Sequence, residues 1–565
     1  MKRDIKQLAE NSFDVLIIGG GIYGASIAQK ISCLGIKTAL IEQKDFSHAT
    51  SANSLKIIHG GLRYLQDLNI KRMRESIKAR RELIKFAPHL VRPLRCIMPT
   101  YGYGLRGKEV MQAALFINDL ISYDRNHSII PENFIPAGKI ISKKSCLNKI
   151  SEIPEKKLRG AGLWYDGFAI NTERIPLLFI QEAANNGTCI ANYLKAIDIK
   201  IQNRQIRSVQ VEDAITGKQF NIKTKIVINA AGPWIDKIHS FLSKEDKKPQ
   251  AWARGINIVV KKKIFPDIAV GLEGSRSYID TDAVFKKGKR LYFFIPWRGY
   301  TLIGTEYKPY QGSPDNIKTE RSDLVEFVEE INMIYPPAKL SLNHVTSYHA
   351  GLLPMSKFDK HGKNDVQLEK NSKLIDHEKT NDIKGLITIK GVKYTTATQT
   401  ALEVKRLISR YVSSANLTKP SKKIDSVDSI NNQSAKKDTT VISKNSDAKI
   451  IQHLKINYGQ QYRKVLQFAI KKNCPNNWIS REPPITLMEI LYSIQEEMAL
   501  TLSDIIFRRT DLGTAECPSL KVLNEIANIM ATKLKWDEKQ KTEEIENVLA
   551  DYYPLIPYEF KTQLN

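Results

Sequence analysis

Cysteine is scarce and scattered in this sequence. Six residues (Cys33, Cys96, Cys146, Cys189, Cys474 and Cys517) lie far apart among 565. None shows C-x-x-C or other metal spacing, so neither a metal centre nor a disulfide framework is expected, and reduced thiols in a reducing compartment are. Long apolar runs are also lacking. No stretch of about 18 apolar residues occurs, which excludes a membrane-spanning helix as an expectation. The opening MKRDIKQLAENSF has no apolar core and no small-residue cleavage site, so no secretory signal is expected and a cytoplasmic location is. Acids are in deficit, with 60 Asp and Glu against 86 Lys and Arg, a net charge of +26. Such an excess calls for an anionic neighbour, whether nucleic acid, anionic lipid or a phosphorylated substrate. Nucleic acid is disfavoured, because the lysines are spread along the chain and no nucleic-acid module is recognisable.

What the chain does contain is a nucleotide clamp. Residues 14–42 read DVLIIGGGIYGASIAQKISCLGIKTALIE: an apolar strand, a glycine-rich turn, a helix and a second strand ending on an acid. Gly19, Gly21 and Gly24 give the G-x-G-x-x-G spacing that lets backbone and pyrophosphate approach closely. The helix opening at Tyr23 and Gly24 presents unpaired N–H groups and a positive dipole end to the phosphates. Glu42 ends the second strand where an adenosine ribose would offer its hydroxyls, which favours NAD or FAD over NADP. Residues 50–66 follow as TSANSLKIIHGGLRYLQ, in which Thr50, Ser51, Ser54 and Lys56 place hydroxyls and an ammonium just beyond that strand, an arrangement suited to a diphosphate.

From this block onward the chain resembles the FAD-dependent glycerol-3-phosphate dehydrogenases, flavoproteins of the D-amino-acid-oxidase-like superfamily. The resemblance continues through APHLVRPLR (87–95), VINAAGPWID (227–236), FFIPWRGYTLIGTE (293–306), ITIKGVKYTTATQTALEVKRL (387–407) and EILYSIQEEMALTLSDIIFRRTDLGT (489–514). The last block is similar to a helical tail that most superfamily members lack. The resemblance implies an α/β fold: a Rossmann-type FAD-binding domain, an antiparallel-sheet substrate domain and a C-terminal all-α domain. It implies oxidation of sn-glycerol 3-phosphate to dihydroxyacetone phosphate by hydride transfer to flavin N5, with electrons passed to a quinone. It also adds Ile22, Tyr23, Ala196, Ala231, Gly232, Gly304, Lys393 and Thr395 to the glycines, Glu42, Thr50, Ser51, Ser54 and Lys56 as FAD-binding positions. A second copy of the chain is left open as a partner.

The pattern along the chain agrees with that division. Residues 1–414 are expected to hold the FAD-binding fold, interleaved with an antiparallel substrate sheet over roughly 240–350. A helix spans Glu173–Asn185, strands alternate over 189–224, and Ile226–Ala230 runs into the small-residue turn Ala231-Gly232-Pro233. Ile387–Ile389 form a strand into Gly391-Val392-Lys393, after which Thr395 or Thr396 starts a helix to about Tyr411. Its positive end, aimed at the flavin pyrimidine edge, would stabilise charge gathered there on reduction. Residues 415–447, rich in Ser, Lys, Asn and Asp, read as a linker, and 448–565 as a helical domain with a capping box at Thr501 and Asp504.

Oxidising a secondary alcohol needs a base, an orienting cation and an electron acceptor. His59 is the candidate base, Arg63 and Tyr64 can hold an anionic or hydroxylated substrate, and Lys393 can contact substrate or flavin. Arg63, His59 and Lys393 are thus the catalytic candidates; Arg63, Tyr64, Arg254, Asn257 and Lys393 form the substrate set. The substrate side departs from the family pattern. Asn257 stands where the family has histidine, Leu353 in Gly351-Leu352-Leu353-Pro354 stands where arginine is expected, and Ile375 before Asp376 and His377 aligns with a second family arginine. Losing two guanidinia from a phosphate site would cost about 10²–10⁴ in affinity, unless Arg63, Tyr64, Arg254 or Lys393 compensate. The alternatives are a same-fold enzyme acting on another hydroxy or amino compound, and a flavin-bearing scaffold without turnover. Retention of His59, Arg63 and Lys393 argues against the scaffold. For the membrane, residues 68–86 pattern as a basic amphipathic helix with Ile70, Met73, Ile77 and Ile84 in its apolar stripe, suited to an anionic bilayer.

Overall fold

Short β-branched runs flanked by glycine favour buried parallel strands, and Ser12–Ile18 forms one. It pairs in parallel with Thr38–Ile41 on one side and Gln219–Asn229 on the other. In the computed structural model, which describes residues 1–104, 107–242, 250–279, 287–357, 366–411 and 448–556, these strands sit in an eight-stranded sheet. Cys189–Ala191 and Leu386–Lys390 extend its parallel part. The glycine-loop helix Ile22–Ser32 packs between the helices Arg174–Asn185 and Ala397–Tyr411 on one face of the sheet, through Ala25, Ala28, Ile31, Ala397 and Ala401. Small side chains on these faces let helix and sheet close tightly. The linker expected at 415–447 lies outside the described residues.

A second, larger sheet holds the strands Trp252–Val260, Ala269–Ile279, Lys287–Trp297, Tyr300–Tyr310 and Val345–Lys357, with antiparallel neighbours through most of its length. It is wider than the sequence pattern suggests. Val91–Tyr101 and Leu158–Ala169 belong to it as well, pairing antiparallel with each other and reaching Ala269 through a short parallel contact. Non-local strand pairing of this kind leaves no local mark, because each strand alternates in the same way whichever partner it takes. The two sheets meet along the edge where Thr50, Leu352 and the glycine loop come together.

Between residues 448 and 556 the regular elements are helices apart from the hairpin Trp478–Arg481 and Pro484–Thr486. Thr501 and Asp504 cap each other reciprocally as their spacing suggests. This domain is fastened to the nucleotide fold by buried ions. Asp45 accepts from Arg508 Nε at 2.6 Å and from both terminal nitrogens of Arg509 at 2.7 and 2.8 Å. Beside it, Arg174 donates to Glu497 at 2.8 Å and to the Arg509 carbonyl at 2.6 Å. Burial alone would raise the Asp45 pKa, but the guanidinia of Arg509 and Arg508 outweigh it and hold the carboxyl below the usual range. The seam therefore contributes stability above the ordinary carboxylate range that is lost as pH falls through it.

Removing one partner of a buried pair strands the other charge, so Asp45→Ala should cost about 3–5 kcal/mol. Denaturant unfolding of the variant measures this; a loss below about 1 kcal/mol would contradict the seam's role.

Candidate cofactor and substrate site

The cleft between the sheets is lined by the glycine loop, the turn after Thr38–Ile41, Ala230–Trp234, Leu352–Pro354 and Gly391–Tyr394. The backbone there is as close as a nucleotide fold requires. A Cβ on Gly24 would lie 1.8 Å from the Gly19 carbonyl oxygen, and one on Gly19, whose φ is +112°, would lie 2.5 Å from that of Ala230. At Gly232, with φ +55°, an added Cβ meets nothing within 4 Å. That space belongs to the cleft.

Most positions expected to hold the cofactor gather here. Gly19, Gly21, Ile22, Tyr23, Glu42, Thr50, Ser51, Ala196, Ala231, Gly232 and Lys393 all line the cleft. Glu42 ends its strand with a carboxylate that accepts the N–H groups of Gly20 at 2.7 Å and Lys44 at 3.0 Å. Ser47 Oγ and His48 Nε2, both buried in the lining, have no hydrogen-bond partner within the protein. Buried polar atoms of this kind are satisfied by a ligand or water, so the donor set suits the adenosine half of a dinucleotide. Sequence reading missed both residues, since a serine and a histidine in a turn carry no spacing signal.

Other expectations need correction. Lys56 does not reach the cleft: its ammonium is fully buried against Glu173 Oε1 at 3.1 Å and Thr172 Oγ1 at 3.0 Å, over the Trp297 ring. A buried cation takes its nearest carboxylate rather than a distant diphosphate. Ser51 Oγ accepts the Ile22 N–H at 3.0 Å, and Thr50 Oγ1 bridges the Leu352 backbone, so both hydroxyls brace the loop. Ser54 accepts the Lys56 N–H, while Thr395 is buried just ahead of the helix Ala397–Tyr411; neither is among the cleft-lining residues. Gly304 is packed against Asn257, whose Oδ1 accepts from Thr305 at 2.6 Å. Arg254 is turned away too, bound to Asp323 at 2.6 Å. Leu353 lines the cleft, whereas Ile375 lies on the edge strand Lys373–Asp376.

His59, Tyr64 and Lys393 do come together. The Lys393 ammonium donates to the Tyr64 hydroxyl and lies 4.3 Å from its ring centroid, and the His59 ring meets the same ring edge-on at 5.9 Å. Arg63 belongs to the same one-turn helix as Tyr64 and is exposed. The His59 loop is fixed from below: Asp166 accepts the Gly60 N–H at 2.6 Å and Arg80 at 2.7 Å, and the Trp164 indole at 3.0 Å. Arg72, unforeseen, stacks on Tyr64 with its guanidinium carbon 4.4 Å from the ring centroid. Burial, then Lys393, Arg72, Arg80 and Arg63, depress the His59 pKa from 6.5 to about 3. His59 is therefore neutral across the physiological range, with a lone pair open to a proton but little affinity for one until an anion offsets those cations.

The folded state binds fewer protons at His59 than the unfolded chain does. Its contribution to stability is thus present above pH 6.5 and lost as pH falls toward 3. NMR titration of labelled histidine in the substrate-free protein should show His59 neutral down to about pH 4; a midpoint near the ordinary histidine value would contradict the cation cluster.

Residues 14–378 match the family model described as FAD dependent oxidoreductase, and residues 401–541 that of the C-terminal domain of alpha-glycerophosphate oxidase. A glycerol-3-phosphate dehydrogenase of Synechocystis sp. is 29% identical over 578 residues, covering 97% of this chain and 99% of that protein. The aerobic glycerol-3-phosphate dehydrogenase of Staphylococcus epidermidis is 29% identical, covering 97% and 96%. The solved glycerol-3-phosphate dehydrogenase of Bacillus halodurans, complexed with FAD, has the same fold with a TM-score of 0.70 at 22% identity, covering 98% of this chain and 97% of that one. The chain belongs to the FAD dependent oxidoreductase family.

Proposed function

We propose that the protein oxidises glycerol 3-phosphate to dihydroxyacetone phosphate in the cleft beside Tyr64, and passes the electrons to a quinone at a membrane surface. The observation that carries this reading is the convergence of His59, Tyr64 and Lys393 at the cleft that Lys393 itself lines. Bound FAD supplies the acceptor for a two-electron oxidation. The chain's own groups do the rest: Lys393 and Arg63 hold an anionic substrate, Tyr64 orients it, and His59 takes the hydroxyl proton once the substrate's charge offsets its cationic neighbours. Glu42, Ala196, Ala231 and Gly232 hold the nucleotide, and the start of Ala397–Tyr411 sits behind the cleft-lining Gly391–Tyr394. The relatives' names support the substrate. Leu353 and Ile375 keep a second reading open, in which another hydroxy or amino compound is the donor.

For the membrane, support comes from a different helix than the basic stretch at 68–86. In Ile70–Phe86 the stripe residues Met73, Ile77 and Ile84 are buried, Ile70 is exposed, and Arg74 and Arg81 are both spent on Asp124. Three of the four stripe residues face the core. The helix Lys108–Ile121 instead exposes Val110, Phe116, Ile117 and Leu120 along one side, continued by Leu68 and Tyr123. No described helix is long and apolar enough to cross a membrane, so attachment would be interfacial.

Anaerobic addition of glycerol 3-phosphate to the purified yellow protein should bleach its absorbance near about 450 nm. Bleaching only by another alcohol or amine would move the assignment to the second reading, and none by any donor would remove catalysis. With anionic liposomes, Phe116→Ser with Leu120→Ser should reduce flotation at least about tenfold. Flotation equal to the unaltered protein would reject this face.

A further inference from the structure

Arg72 is placed where helix energetics disfavour it. It lies in the first turn of Ile70–Phe86, a turn with no acidic residue, so its charge sits at the positive end of the helix dipole. It is nevertheless only 7% exposed. Among the described residues no carboxylate pairs with it; its guanidinium donates to the Lys370 carbonyl and stacks on the Tyr64 ring. Every other arginine buried near this region has an acid: Arg80 has Asp166 and Arg174 has Glu497. A desolvated guanidinium held only by a carbonyl and an aromatic face retains capacity for an anion.

The surroundings point to one anion. Tyr64 carries Arg72 at 4.4 Å and Lys393 at 4.3 Å from its ring centroid, with His59 on its edge. Two cations on one ring repel each other, and a dianion between them would convert that repulsion into attraction. Lys370, whose carbonyl Arg72 binds, leads into the strand Lys373–Asp376 that carries Ile375. Arg72 therefore brings a guanidinium from the helix to the segment that precedes this strand.

We propose that Arg72 is a specificity-determining residue that binds the phosphate monoester of the substrate, acting with Lys393 and Arg63 across Tyr64, and so restores the selectivity that Leu353 and Ile375 would otherwise remove. This rests on the reading of the cleft as an alcohol-oxidising centre. A planar guanidinium fits phosphate bidentately, as an ammonium does not, so Arg72 discriminates phosphorylated from plain polyols. Depression of the His59 pKa by the same cations is consistent with an anion site beside the base.

The test uses the FAD-loaded full chain and follows the flavin spectrum during titration with glycerol 3-phosphate, glycerol and inorganic phosphate. Arg72→Met should weaken glycerol 3-phosphate and inorganic phosphate by roughly 10- to 100-fold and leave the response to glycerol unchanged. Arg72→Lys, which keeps the charge, should weaken both by several-fold, so the measurement stands even if the methionine variant fails to fold. Affinity for both phosphates within twofold of the unaltered protein, or an equal loss for glycerol, overturns the assignment. If the unaltered protein is not bleached by glycerol 3-phosphate yet binds inorganic phosphate through Arg72, the proposed oxidation fails and the anion site stands. Bleaching with a phosphate affinity independent of Arg72 does the reverse: the oxidation stands and the anion site fails.

Discussion

The architecture depends on buried charges that are paired almost completely. Asp45 sits in the turn directly after the strand that ends on Glu42, and it is gripped by two arginines from the C-terminal domain. That turn also supplies Ser47 and His48 to the cleft lining. Geometry at the nucleotide end is thereby tied to a domain none of whose described residues lines the cleft. The arrangement tolerates no half-measures: with both partners present the charges satisfy each other, and with one absent the other is left in a low-dielectric interior. Coupling between the tail and the cofactor turn follows from that asymmetry, without any moving part.

The same principle separates support from function around the substrate end. Lys56 with Glu173, Arg80 with Asp166 and Arg174 with Glu497 are closed pairs whose charges are spent on the scaffold. Arg72 and Lys393 share the ring of Tyr64 as a common surface. Asp166 links the two groups, since it accepts from Arg80, from the Trp164 indole and from the Gly60 N–H that fixes the His59 loop. The same cations, Lys393 and Arg72 with Arg80 and Arg63, act with burial to hold the His59 pKa down.

Much of this was legible in the residues. The glycine spacing, Glu42, the Ala231-Gly232 turn and the Lys393 segment all converge on one cleft, because close backbone approach admits so few side chains that the pattern is distinctive. Lys56 and Arg254 were read by residue type, as a phosphate ligand and a substrate cation, and fold into pairs with Glu173 and Asp323. Glu173 and Asp323 lie 117 and 69 residues away in the chain, a separation at which no local pattern announces a partner. In the basic helix Met73, Ile77 and Ile84 of the apolar stripe turned to the core and Ile70 to solvent, a division that the helical period does not announce.

The sequence by itself determined the nucleotide fold, the family and the departures at Asn257, Leu353 and Ile375, since strand, glycine turn, helix and acid are contiguous and their chemistry is local. Tertiary structure alone decided which charge pairs with which. Opposite charges find each other across the fold by Coulombic attraction in a medium of low dielectric, and that pairing depends on distances in space. Lys56 was thereby buried against Glu173, while Arg72, anonymous within a run of basic residues, was set on the face of Tyr64.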